Sequence, residues 1–121
     1  MPLACAADLL RACRAIRLAD YDTAELALAA SVSVWPEVEH CAAYLNLLGV
    51  IHEARRDWRD ARYWYRRAVA ADKRYVPTQQ NLRRIYELYT FGKSREPFAL
   101  GDEMHDVWIA RLPEPAGQPA A

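Results

Sequence analysis

The stretch NLLGVIHEARRDWRDARYWYRRAVA, residues 46–70, decides the fold. Apolar and small residues recur at helical spacing on both sides of a short polar turn at Arg56 and Asp57, which predicts two helices joined tightly. Aromatic residues and arginines are frequent in it, but no nucleophile stands beside a base. The stretch therefore predicts a helical hairpin that packs or binds rather than reacts.

The bulk composition is that of one folded domain. The chain has 121 residues, of which 53% are hydrophobic and 26% charged, enough for a single modest core. Its formal net charge is zero, but residues 55–84 carry ten basic and three acidic side chains, and both flanks are acidic. The overall charge therefore directs the chain neither to nucleic acid nor to a membrane surface.

The cysteines and the lengths of the apolar runs indicate in which cellular compartment the protein is expected. Cys5, Cys13 and Cys41 are an odd set without C-x-x-C spacing, which favours a reducing environment. No apolar run approaches the roughly 18 residues of a membrane span, and no apolar signal region precedes Cys5. We expect a cytoplasmic protein that does not bind membranes.

Helical periodicity extends over most of the chain and predicts an all-α fold. Three hairpins are expected at about residues 3–35, 39–72 and 77–112. Asp20 or Asp22 is expected to cap the second helix. Residues 113–121 are rich in proline and alanine and are expected to be disordered.

The second half of the third hairpin is predicted as one amphipathic helix. Its apolar stripe consists of Leu100, Met104, Val107, Trp108 and Leu112. We expect this helix to dock on the third hairpin with Trp108 buried. An exposed stripe that pairs two chains is the alternative, so the chain is expected to be a monomer or a weak homodimer.

The chain also contains an internal repeat. The segment RDWRDA (56–61) resembles ADYDTA (19–24) at an offset of 37, and Leu48 matches Leu82 at an offset of 34. With the Leu48-Gly49 pair, this pattern resembles the tetratricopeptide repeat. One clear copy spans about 42–75, and two degenerate copies flank it.

The resemblance implies a right-handed stack of about three antiparallel hairpins, an α-solenoid with the last helix as its cap. It implies that Gly49 lets the two helices of the central hairpin approach closely. Trp58, Trp64 and Tyr65 are expected in the core.

In this family the first helix of each repeat lines a concave groove that binds proteins or peptides. The resemblance thus implies a protein–protein interaction scaffold, an adaptor or a partner-specific chaperone. An extended or amphipathic ligand with an apolar anchor is expected. The residues expected to line the groove are Leu9, Cys13, Ile16, Asn46, Val50, Glu53, Gln80, Arg84 and Glu87.

A second hypothesis rests on arginines. A stripe within residues 55–67 is formed by Arg55, Arg59, Arg62 and Arg66, widened by Arg56 and Arg67 with Tyr63 beside it. Arginine suits phosphate and aromatic rings suit bases. Nucleic-acid binding is the alternative to a solvated helix face.

Residues with catalytic or metal-binding potential are few. His52 begins an H-E-x-x-H pattern, but the second histidine is absent. His40 and Cys41 do not form a known ligand spacing. We therefore expect no metal, no cofactor and no enzymatic activity.

Overall fold

The computed structural model describes residues 1–94 and 96–110, and within them it is helical without a β-strand. The all-α prediction is confirmed. The predicted tail at 113–121 lies outside the described residues. The six α-helices are α1 (Leu3–Arg17), α2 (Tyr21–Val34), α3 (Ala42–Ala54), α4 (Trp58–Ala71), α5 (Val76–Phe91) and α6 (His105–Ala110).

Two short 3₁₀ turns complete the described structure, Pro36–His40 between α2 and α3 and Asp102–Met104 before α6. Among the helices in the described part of the chain, none combines the length and the apolar character that crossing a membrane demands. The helices pack in pairs, with the most extensive contacts between α1 and α2 and between α3 and α4.

The turns that follow α1 and α3 have the same design. Asp20 caps α2 by accepting from the Thr23 amide at 3.2 Å, and Asp57 caps α4 by accepting from the Asp60 amide at 3.5 Å. The residue before each cap has a positive φ, 57° at Ala19 and 62° at Arg56. Both turns thus place a residue with a Cβ in the left-handed region.

Replacing Ala19 or Arg56 by glycine is expected to stabilise the chain by about 1 kcal/mol, because glycine has no Cβ to clash in the left-handed region. Urea unfolding of each variant measures the change. Leu18→Gly is the matched control, since the exposed Leu18 has a φ of −89° in the same turn. A stabilisation equal to that of the control would contradict the backbone explanation.

Close approach of α3 and α4 depends on one glycine. A Cβ added to Gly49 would lie 2.4 Å from two ring atoms of Tyr65, which is fully buried. Two alanines of α4, Ala61 and Ala68, are also fully buried, so small side chains keep the two backbones close together. The expectation for Gly49 is confirmed.

The third unit differs from the predicted hairpin at 77–112. Residues 92–94 and 96–101 are irregular, and α6 packs chiefly against α1 rather than as a cap on α5. The predicted long helix does not form because Gly101 turns the chain with a φ of 83° and the hydroxyl of Tyr75 occupies the space where its Cβ would lie. Trp108 is nevertheless buried, as expected.

An inner groove occupied by the chain itself

The candidate functional site is a groove on the face that α1, α3 and α5 share. We call this face the inner groove, and we call residues 96–110, which cross it, the return segment. Side chains of all three helices contact the return segment, beginning at α5 and ending at α1. The groove therefore holds a stretch of its own chain that is irregular over residues 96–101.

Two asparagines bind the main chain of the return segment at one residue. Asn81 donates to the Ala99 carbonyl at 2.8 Å and accepts from the Ala99 amide at 2.8 Å. Asn46 donates to the same carbonyl at 2.9 Å, and its own side-chain oxygen accepts from Asn81 and from the Thr78 hydroxyl. Both asparagines are fully buried. Because these bonds use only main-chain atoms of the bound segment, they do not depend on its side chains.

A buried ion pair continues the site along α5. The Arg84 guanidinium donates two hydrogen bonds to the Glu53 carboxylate, and the Tyr65 hydroxyl donates to the same carboxylate at 2.7 Å. The remaining terminal nitrogen of Arg84 donates to the Pro97 carbonyl at 2.7 Å, and its guanidinium carbon lies 4.7 Å from the centre of the Phe98 ring. Arg84 thus links the interior of the hairpin to the bound segment.

At the other end, the return segment is held by charge and by an aromatic residue. Arg17 donates two hydrogen bonds to Asp102, and these hold the pKa of that carboxyl below its usual range. The Trp108 indole donates to the Tyr75 hydroxyl at 3.2 Å. Burial, aided by the negative charge of Asp102, raises the pKa of the Cys13 thiol to about 12. Cys13 is fully buried, so its thiol reports whether this end is closed.

The residues predicted to line the groove fall into three groups. The polar residues Asn46, Glu53 and Arg84 are those that contact or support the return segment. The apolar group is buried in the hydrophobic core and consists of Leu9, Cys13, Ile16 and Val50. Gln80 and Glu87 are half-buried, and Glu87 accepts from the Ser94 hydroxyl at 3.0 Å.

Several residues that form the inner groove are absent from that prediction. Asn81 and Thr78 of α5 are fully buried and bind Asn46, while Arg17 of α1 binds Asp102. The separation of 35 positions between Asn46 and Asn81, close to the length of the repeat, is a signal that identifies them as equivalent. The sequence carries no comparable signal for Arg17, because its partner lies 85 positions away.

The arginine stripe is not a single surface. Arg55 follows α3 as its C-cap residue and is paired with Asp22 and Glu25 of α2, so its charge is neutralised. The Arg67 guanidinium lies 5.1 Å from the centre of the Trp64 ring. The arginines of the stripe that stay exposed on α4 are Arg59, Arg62 and Arg66.

One group of side chains in the described residues has metal-binding geometry, namely His52, Asp57 and Asp60 at the α3–α4 turn. The Asp57 carboxylate already accepts from the Asp60 amide as a helix cap and lies 3.4 Å from the His52 ring nitrogen. Three side chains are one fewer than the four ligands of a structural zinc site. The group also lies outside the set of residues that contact the return segment.

No family model, no curated protein and no solved structure matches this chain.

Proposed function

We propose that this chain is a protein-interaction module, an adaptor or a partner-specific chaperone, whose inner groove binds an extended peptide. In this proposal the helices form a right-handed stack similar to tetratricopeptide repeats, and the chain acts in the cytoplasm without catalysis. The observation that carries it is the double contact of Asn46 and Asn81 with the main chain at Ala99. A pair of buried side-chain amides that binds the main chain of one residue suits any extended segment.

The return segment indicates what a ligand in the same groove needs. An aromatic residue precedes the anchored residue and packs on the Arg84 guanidinium, as Phe98 does. An acidic residue follows it by three positions, where Asp102 meets Arg17. We therefore expect ligands of the pattern aromatic, small residue, then an acidic residue, in extended conformation.

A ligand in trans has to displace the return segment. Because that segment is tethered, its effective concentration at the groove is of millimolar order, and an external peptide of similar affinity competes poorly. Weakening the tethered contact should therefore raise the apparent affinity of the external peptide. Trp108, which is buried and distant from the asparagines in sequence, is the residue to remove for this purpose.

The test uses the full chain with Trp108→Ala and a labelled peptide of residues 96–104, EPFALGDEM. We expect the variant to bind the peptide about tenfold more tightly than the wild type by fluorescence anisotropy. Alkylation of Cys13, followed by mass spectrometry, verifies that the groove has opened, and circular dichroism verifies the fold.

Two matched controls isolate the main-chain contact. The first is a peptide with proline in place of Ala99, which lacks the main-chain N–H that donates to the Asn81 side chain. The second is Asn81→Ala in the Trp108→Ala background, which removes that side chain. Both are expected to lose binding. If the opened variant, with Cys13 reactive and the helices intact, does not bind the peptide, the inner groove is not a peptide site.

A further inference from the structure

A second groove lies between α4 and α5, where the third unit has no second helix. We call it the outer groove; its cavity volume is about 650 Å³, and its lining includes Trp58, Arg62, Arg66, Ile85, Tyr86 and Tyr89. Trp58 was expected in the core but is 43% exposed. The reason is that the chain after α5 leaves for the inner groove, so no described helix covers this side.

The α5 side of the outer groove has the pattern of a face that packs on a helix. Leu82, Ile85, Tyr86 and Tyr89 follow one another at i, i+3, i+4 and i+7. Tyr86 is 63% exposed and Tyr89 is 89% exposed. Adjacent aromatic residues with this exposure are typical of protein-binding surfaces.

The α4 side supplies charge. Arg62 and Arg66 are one helical turn apart and line the groove, and no acidic residue lines it. Within the described residues neither arginine pairs with a carboxylate, in contrast to Arg55, which pairs with two. The groove thus combines an apolar aromatic floor with an unneutralised positive edge, which is complementary to acidic side chains.

We propose that the outer groove binds an amphipathic helix of a partner protein whose apolar face is bordered by aspartate or glutamate. The bound helix takes the place beside α5 that a second helix of the third unit would fill. A second copy of this chain suits the groove less well. In a two-fold contact each patch meets itself, and Arg62 and Arg66 would find no acidic partner because no acidic residue lines the groove. This proposal is independent of the inner groove.

The probe is a fluorescein-labelled helical peptide of 16 residues, with leucines at i, i+3, i+4 and i+7 and glutamates on both borders. Two controls have lysines in place of the glutamates or the same composition in scrambled order. We expect the full chain to bind the glutamate peptide at least about tenfold more tightly than either control by fluorescence anisotropy. Equal affinity for the three peptides overturns the proposal.

Variants of exposed residues locate the binding. Tyr86→Ser and Arg62→Glu are each expected to weaken binding by about tenfold, and Arg62→Glu should gain affinity for the lysine peptide. Arg59→Glu is the matched control, because Arg59 is exposed on α4 but does not line the groove. Binding that survives Tyr86→Ser, with the helices intact by circular dichroism, overturns the proposal.

Other occupants are distinguished by the same variants. If sedimentation shows that the chain is a dimer and that Tyr86→Ser makes it a monomer, the groove binds a second copy and the proposal is overturned. An oligonucleotide that binds through Arg62, in a chain that does not bind the glutamate peptide, would overturn it as well. Trp108→Ala should leave affinity for the glutamate peptide unchanged, which separates this test from that of the inner groove.

Discussion

Glu53→Ala is expected to reduce the free energy of unfolding by about 3–5 kcal/mol, because it leaves a buried guanidinium without its carboxylate. Glu53 and Arg84 are 3% and 4% exposed, and the Tyr65 hydroxyl loses its acceptor in the same substitution. Urea unfolding followed by circular dichroism measures the loss. A surface ion pair would contribute only about 0–1 kcal/mol, so the size of the effect distinguishes the two cases.

The control is a double variant, Glu53→Leu with Arg84→Met, which removes both charges and keeps apolar volume. We expect it to recover at least about 2 kcal/mol relative to Glu53→Ala, since no unpaired charge stays buried. It should also loosen the return segment, because Arg84 holds the Pro97 carbonyl. If the double variant is less stable than Glu53→Ala, the cost does not arise from an unpaired guanidinium.

Gly49→Val is expected to destabilise the chain by about 3 kcal/mol, because overpacking forces side chains and backbone to move. Even the first added carbon meets the Tyr65 ring at 2.4 Å, and two further methyl groups add to the clash. The melting temperature and the urea midpoint should both fall.

Tyr65→Leu provides the control for this clash. The smaller side chain vacates the space beside α3, so Gly49→Val should cost less in the Tyr65→Leu background than in the wild type. Equal costs in the two backgrounds would show that the ring is not what excludes a larger residue from position 49.

Much of α1 to α5 could be predicted, because local physics determines it. The apolar spacing, the cap at Asp20, the proline in the first turn of α5 and the left-handed Gly92 at its end all act within a few residues. The placement of Asn46, Glu53 and Arg84 on one face also follows from helical spacing combined with the repeat, although their burial does not. These features need no knowledge of distant contacts.

The return segment could not be predicted in the same way. Its apolar stripe is compatible with a helix, and residues 96–101 are irregular because distant side chains bind their main chain. Asn81 reaches Ala99 across 18 positions and Asn46 across 53. Tertiary hydrogen bonds thus override a local helical preference. The exposure of Trp58 could not be predicted either, because it depends on the side of α5 along which the chain continues after that helix.

The path of the return segment also bears on the order of folding. The pairs α1–α2 and α3–α4 join residues close in sequence and can form early, whereas the contact of Arg17 with Asp102 closes 85 positions. During synthesis the inner groove therefore stays open until residues 96–110 have left the ribosome. In that interval the side-chain amides of Asn46 on α3 and Asn81 on α5, which are buried in the complete fold, are accessible to any other extended chain or to a chaperone. Residues 96–110, which are made after α1 to α5, thus complete the surface of the first helix.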